Sequence, residues 1–128
     1  MQLIDTHCHL DLQHFDQDRD EVIARAVESG VDYVINPGID VSSSRNVLRL
    51  CEKYPQILPA VGIHPNDVTV DYDIQIGELR ALLQNERIVA IGEIGLDDYH
   101  KLVSIDLQIR VFKIQLELAA ERNLPVII

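Results

Sequence analysis

Residues 2–9 read QLIDTHCH, a short apolar run that leads directly into two histidines separated by one residue. A run of this length and composition suits a buried strand. Side chains alternate between the faces of a strand, so His7 and His9 point to one side and Cys8 to the other. Two imidazoles on one face can ligate a single divalent ion. The alternative is a pair of surface histidines near a strand end.

The rest of the chain alternates between short apolar runs and amphipathic segments. The runs predict buried strands at 2–6, 33–36, 58–63, 88–94 and 124–128, and the amphipathic segments predict helices at 18–29, 42–54, 73–85 and 104–122. Strict alternation favours a parallel sheet with right-handed crossovers, either doubly wound or closed into a barrel. A doubly wound sheet would carry a glycine-rich phosphate loop where this chain has His-Cys-His. We therefore expect a TIM-type barrel.

The length of the chain sets how much of such a barrel it contains. An eight-stranded barrel needs about 250 residues, and this chain has 128. We expect residues 1–128 to be the N-terminal half, with about four βα units and a fifth strand. Two open sheet edges would invite pairing with another chain, so self-association is expected.

Two further residues follow predicted strands and carry reactive side chains. Glu93 ends the apolar run VAIGE, where an unpaired buried charge would cost several kcal/mol, so it needs a metal ion or a buried cation as its partner. A carboxylate can also bridge two metal ions, which suits attack on a phosphodiester. His64 lies before Pro65, and it could contact a scissile phosphate or transfer a proton. An exposed turn histidine is the alternative for His64.

The remaining titratable residues carry weaker signals. We expect Asp97 and Asp98 to be solvated loop carboxylates, and Asp11 and His14 to be polar groups at a helix entry. His100 has no visible partner in the sequence, and no serine or cysteine nucleophile can be assembled with a base. The two cysteines, Cys8 and Cys51, lack CxxC spacing, which excludes a thiolate zinc cluster. Cys51 suits a small buried core position.

The fourth predicted helix carries two apolar stripes. Its stronger stripe, which we expect to face the core, contains Ile105, Ile109, Phe112, Leu116 and Ala119. The opposite stripe contains Leu107, Val111, Ile114 and Leu118. We expect this second stripe to be partly bare in a half barrel and to mark an interface.

Composition narrows the classes of function. The net charge of −10 argues against non-specific nucleic-acid binding, which favours a basic surface. It does not exclude a nuclease, because bound divalent cations invert the local field where a phosphate docks. No apolar run approaches the roughly 20 residues of a membrane span, and no secretory leader precedes the first motif. We expect a cytoplasmic protein.

Four stretches together resemble the TatD family of metal-dependent deoxyribonucleases, within the amidohydrolase-type barrels. They are IDTHCHLD at 4–11, VGIHP at 61–65, GEIGLD at 92–97 and FKIQLELAAERNLPVII at 112–128. They fall in the family's order and span the chain. One departure is Asp98, where an aromatic residue commonly follows Gly-Leu-Asp.

The resemblance implies a set of roles for these residues. His7 and His9 would bind one metal, Glu93 would ligate or bridge both ions of a two-metal site, and His64 would line the substrate site. The family's remaining ligands, two histidines and an aspartate, would lie beyond residue 128. The ligand types suit Zn²⁺, Mn²⁺ or Fe²⁺, and Mg²⁺ with water in its shell. The implied substrate is DNA or another phosphodiester.

Two alternatives stay open at this point. The same HxH start serves related barrel hydrolases that act on a carbonyl or lactone. The second alternative to a phosphodiesterase is a catalytically inactive remnant that acts only in assembly. With three ligands present, we expect weak binding of one ion and poor turnover by this chain alone.

Overall fold

A computed structural model describes residues 3–128; Gln2, placed by the sequence in the first strand, lies outside the described residues. Four parallel strands form one sheet in the order β1-β2-β3-β4. They are β1 (Leu3–Asp5), β2 (Val31–Pro37), β3 (Ile57–Val61) and β4 (Ala90–Ile91). Each strand pairs with the next strand along the chain, so the order never reverses as it does in a doubly wound sheet. The result is a half-barrel.

A helix follows each strand and completes a βα unit. The helices are α1 (Arg19–Glu28), α2 (Val41–Lys53), α3 (Tyr72–Leu82) and α4 (Ile105–Arg122). Asp40 caps the start of α2: its carboxylate accepts from the Ser43 amide at 2.6 Å, and Ser43 Oγ accepts from the Asp40 amide at 2.9 Å. This reciprocal pair satisfies backbone groups at the helix start. Among the described residues, no helix is both long and apolar enough to span a membrane.

The last two predicted strands are much shorter in the structure. β4 covers two residues rather than 88–94, because the backbone beyond it leaves the ladder: the Glu93 amide donates to Gly38 O at 2.8 Å. The predicted fifth strand is reduced to an isolated parallel bridge between Ile91 and Val126. Pro125 in this segment has no N–H to donate. The segment nevertheless runs beside β4, because the Ile91 amide donates to Pro125 O at 2.9 Å.

The first strand is not buried as the sequence predicts. Leu3 and Ile4 are 41% and 55% exposed, respectively. β1 lies at the edge of the sheet with β2 as its one neighbour, so an open edge with apolar side chains is present, as expected for a half-barrel.

The buried face of α4 differs in part from the prediction. Ala119, from the stripe expected to face the core, is buried as predicted, but other members of the two stripes exchange places. Val111 and Leu118, from the stripe expected to be bare, are 0% and 1% exposed, whereas Ile105 and Leu116 are 38% and 37% exposed. The buried face of the helix also holds two glutamines, each 1% exposed. The periodicity of apolar residues does not fully predict the buried face of α4, because these two polar side chains turn inward to bond backbone groups.

Candidate metal centre

His7 and His9 follow β1 at the carboxyl edge of the sheet. The chain stays extended beyond the strand, because the Cys8 amide donates to Ile35 O on β2 at 3.1 Å. Alternation then places both imidazoles on one side, with their Nε2 atoms 3.1 Å apart. Cys8 packs on the other side against a core cluster. The alternation inferred from the sequence is confirmed here.

Glu93 brings a carboxylate oxygen to the same point. Its Oε2 lies 3.1 Å from His7 Nε2 and 3.2 Å from His9 Nε2. One ligand atom from each of the three residues lies within 4.8 Å of the others. The structure thus brings together three side chains separated by up to 86 positions in the chain; their role as metal ligands stays a prediction.

Glycines allow the backbone under this cluster to pack closely. A Cβ added to Gly92 would lie 2.6 Å from Ile127 Cβ, and one added to Gly62 would lie 2.8 Å from the Gly92 carbonyl carbon. Separations below 3 Å require the neighbours to move. β3, the segment after β4 and the C-terminal segment therefore depend on these two glycines for their contact.

The ring of His9 is oriented by a backbone carbonyl. Its Nδ1 lies 3.0 Å from Pro37 O at the end of β2. A carbonyl only accepts hydrogen bonds, so Nδ1 carries the proton and Nε2 of the neutral ring presents a lone pair. Such an outer contact is typical of metal-ligating histidines. Two imidazole nitrogens and a carboxylate oxygen form a donor set that fits a divalent transition metal.

His64 lies beside the cluster but holds the opposite tautomer. Its Nδ1 accepts from the Asn66 amide at 3.2 Å, so the proton of the neutral ring is on Nε2. That Nε2 lies 3.7 Å from Glu93 Oε1, beyond direct hydrogen-bond distance. His64 therefore presents an N–H donor to the site, whereas His9 presents a lone pair. This tautomer suits contact with an anionic oxygen better than metal ligation.

Asp97 is not the solvated loop carboxylate expected from the sequence. Its side chain is 16% exposed. It accepts from the amides of Tyr99 at 2.8 Å and His100 at 2.9 Å, and from Asn66 Nδ2 at 2.8 Å. Hydrogen bonds from the backbone and ring of His100, followed by the Asn66 amide, hold the pKa of the Asp97 carboxyl well below its usual range.

The structure places the other residues with weaker sequence signals outside the three-residue cluster. His100, for which the sequence shows no partner, contacts Asp97 Oδ2 through Nδ1 at 2.6 Å. Asp98 is exposed, as expected. Asp11 accepts from the buried Asn36 side chain at 2.8 Å, and His14 packs on Phe15 with ring centroids 4.2 Å apart. Neither joins the three-residue cluster.

Two buried glutamines on α4, which the sequence did not single out, fix the loops of the site. Gln115 accepts from the Ile63 amide at 2.8 Å and donates to Ile63 O at 3.0 Å. Gln108 bonds Asp97 in the same way, at 2.7 and 2.9 Å. Their spacing of seven places both on one helix face. That spacing, on a helix that follows the loops carrying His64 and Asp97, is the signal that could have found them.

A cavity of ≈ 300 Å³ opens beside the cluster. Its lining includes His64, Glu93, Asp97, Asp98 and Tyr99. The cavity therefore joins the Glu93 carboxylate to the loop that follows β4, and it offers room for a small molecule or part of one.

Comparison with known proteins gives consistent matches. The family model described as TatD related DNase matches residues 4–128. The uncharacterized metal-dependent hydrolase YabD of Bacillus subtilis is 37% identical over 126 residues, covering 98% of this chain and 49% of the relative. The 3'-5' ssDNA/RNA exonuclease TatD of Salmonella typhimurium is 33% identical, covering 97% and 48%, respectively. The chain thus spans about half the length of the curated relatives it matches.

Solved structures agree with these matches. The crystal structure of YjjV, a TatD homolog from Escherichia coli, superposes with a TM-score of 0.87 at 33% identity, over 97% of this chain and 49% of that chain. A TatD family hydrolase from Entamoeba histolytica matches with a TM-score of 0.80 at 22% identity and so shows the fold alone. The expected fold, half of a TIM-type barrel, is confirmed.

Proposed function

Because the chain belongs to the TatD-related DNase family, we propose that it forms the N-terminal half, residues 1–128, of a metal-dependent phosphodiesterase barrel that acts on DNA or RNA. The observation that carries this proposal is the meeting of His7 Nε2, His9 Nε2 and Glu93 Oε2 within 3.1–3.2 Å. The exonuclease name of one relative favours a phosphodiester over the carbonyl or lactone alternative.

We assign three residues to the metal. His7 and His9 would contribute imidazole nitrogens, and Glu93 would contribute a carboxylate oxygen. A divalent cation bound there supplies Lewis acidity toward a phosphoryl oxygen. Glu93 Oε2 faces the two imidazoles, whereas Oε1 faces His64. Because its two oxygens face different sides, Glu93 is suited to bridge the two ions of a complete family site.

His64 is the proposed substrate contact. Its Nε2 lies 3.7 Å from the same carboxylate, and His64 lines the cavity, so its N–H can donate to a non-bridging phosphate oxygen and orient the phosphodiester. Its proton stays on Nε2 because Nδ1 accepts from the Asn66 backbone. The net charge of −10 repels a phosphate unless cations are bound, so substrate docking would depend on metal.

Two expectations from the sequence remain predictions. Self-association through the open edge of β1 is supported by exposed Leu3 and Ile4; light scattering that shows a stable monomer would contradict it. A cytoplasmic location is the other.

Calorimetric titration with Mn²⁺, Zn²⁺ and Mg²⁺ tests the metal assignment. We expect His7→Ala to weaken Mn²⁺ or Zn²⁺ binding at least about tenfold, because one of three ligands is lost. His14→Ala is the matched control, since His14 is an exposed histidine outside the cluster. Equal affinities for the two variants would refute the assignment. Hydrolysis of single-stranded DNA, measured in parallel, tests the activity separately; we expect weak turnover from this chain alone.

A further inference from the structure

An exposed aromatic residue lies at the mouth of the cavity. The chain has only four tyrosines and two phenylalanines and no tryptophan, yet Tyr99 is 88% exposed. The Tyr99 ring packs edge-on against the His100 imidazole, with centroids 4.9 Å apart and planes at 88°. Tyr99 also lines the cavity that contains His64 and Glu93.

The turn that carries these rings is held in place. The Asp97 carboxylate accepts from the backbone amides of both Tyr99 and His100. The Gln108 side chain in turn accepts from the Asp97 amide and donates to the Asp97 carbonyl. An aromatic ring on a fixed turn loses little freedom when it binds a ligand. Tyrosine is enriched at binding interfaces because its ring is apolar at one end and carries a polar hydroxyl at the other.

We propose that Tyr99, supported by His100, is a stacking platform for one nucleobase of a single-stranded nucleic acid whose phosphodiester lies at His64 and Glu93. This inference rests on the proposed function and names a second point of substrate contact. Stacking of a base on an aromatic ring is tolerant of sequence. It also suits an acidic rim with Asp97 and Asp98, because a neutral base is not repelled by carboxylates as a phosphate is.

The absence of tryptophan from the chain makes a direct test possible. Tyr99→Trp places a single indole at the platform, and we expect its fluorescence to be quenched on titration with a single-stranded oligonucleotide in the presence of Mn²⁺. Tyr33→Trp is the matched control. Tyr33 is also exposed, at 44%, but it lies at a different cavity with Asp32, Pro55 and Gln56. Equal quenching at both positions would overturn the proposal.

A second measurement separates stacking from other effects of the loop. Fluorescence anisotropy gives the affinities of wild type and Tyr99→Ala for an intact oligonucleotide and for one with an abasic site at its 3' end. We expect Tyr99→Ala to weaken binding of the intact strand about tenfold, the scale of one stacked base, and to leave binding of the abasic strand unchanged. Equal losses on both strands, or none on either, would overturn the platform while leaving the proposed function intact. Wild-type protein that binds neither strand with metal present would overturn both.

Discussion

Replacing Gln115 should test how strongly α4 holds the loop of His64. The side chain makes two hydrogen bonds to one residue, accepting from the Ile63 amide at 2.8 Å and donating to its carbonyl at 3.0 Å. Both residues are 1% exposed, so water cannot replace the lost partner. Gln115→Met keeps the length and shape of the side chain and removes both polar groups.

The expected loss follows from the two groups left without partners. Each unsatisfied buried donor or acceptor costs about 1–3 kcal/mol, so the free energy of unfolding should fall by about 2–6 kcal/mol. Small domains are stable by only about 5–15 kcal/mol, so the variant should be marginal. Because His64 directly follows Ile63, its ring should also lose its fixed position.

Urea unfolding followed by circular dichroism measures the change in free energy, with Gln84→Met as control. Gln84 is exposed, with a single 3.3 Å bond to the Arg80 carbonyl, so its loss should cost less than about 0.5 kcal/mol. Hydrogen exchange at the Ile63 amide provides a local measure, and we expect the variant to lose its protection. A stability loss below about 1 kcal/mol with unchanged exchange would refute the reasoning.

Three further predictions follow from the backbone, the thiols and Asp97. Gly92→Ala should cost about 1–3 kcal/mol in urea unfolding, because its Cβ would meet Ile127 at 2.6 Å; Gly77→Ala, with open space around it, should instead stabilise α3 by about 0.5–1 kcal/mol. Equal changes in the free energy of unfolding for the two variants would contradict the close packing at Gly92. Burial raises the pKa of Cys51 to about 12, so iodoacetamide at pH 8 should label it only after unfolding; rapid labelling in native protein, detected by mass spectrometry, would refute it. The pKa of the Asp97 carboxyl is lower in the folded state, so the folded chain binds fewer protons at this group than the unfolded chain does. The contribution of Asp97 to the free energy of unfolding is therefore present above about pH 4 and lost as the pH falls through the folded-state pKa. Asp97→Asn should flatten urea stability profiles between about pH 2 and 5; an unchanged slope would count against it.

The parts of the fold that repeat a simple pattern could be predicted from the sequence. Apolar runs and helical periods located four βα units, and the spacing of His7 and His9 predicted that both rings share a face. Glu93 was found because a carboxylate at the end of an apolar run needs a partner. These inferences depend on local periodicity and on the cost of buried charge, both of which are visible in a single chain.

The parts that depend on long-range polar contacts could not be predicted. Gln108 and Gln115 lie on the buried face of α4, which the apolar pattern placed only in part, because their bonds to Asp97 and Ile63 exist only in the folded chain. His100 gained a partner for the same reason, in a turn whose shape the sequence did not show. Polar side chains that bond backbone atoms leave no periodic signal, so a hydrophobic pattern places them on the wrong side.

The backbone around Glu93 has a consequence for how the protein acquires its structure. The Glu93 amide is tied to Gly38 after β2, the Gly92 amide to Val61 of β3, and the Ile94 amide to Ile127 near the C terminus. A cation at the cluster would therefore bind only chains in which these distant segments have already come together. Added metal should shift the equilibrium toward the native state and raise the melting temperature with concentration. Metal affinity would then report the fraction of molecules whose sheet is completely assembled.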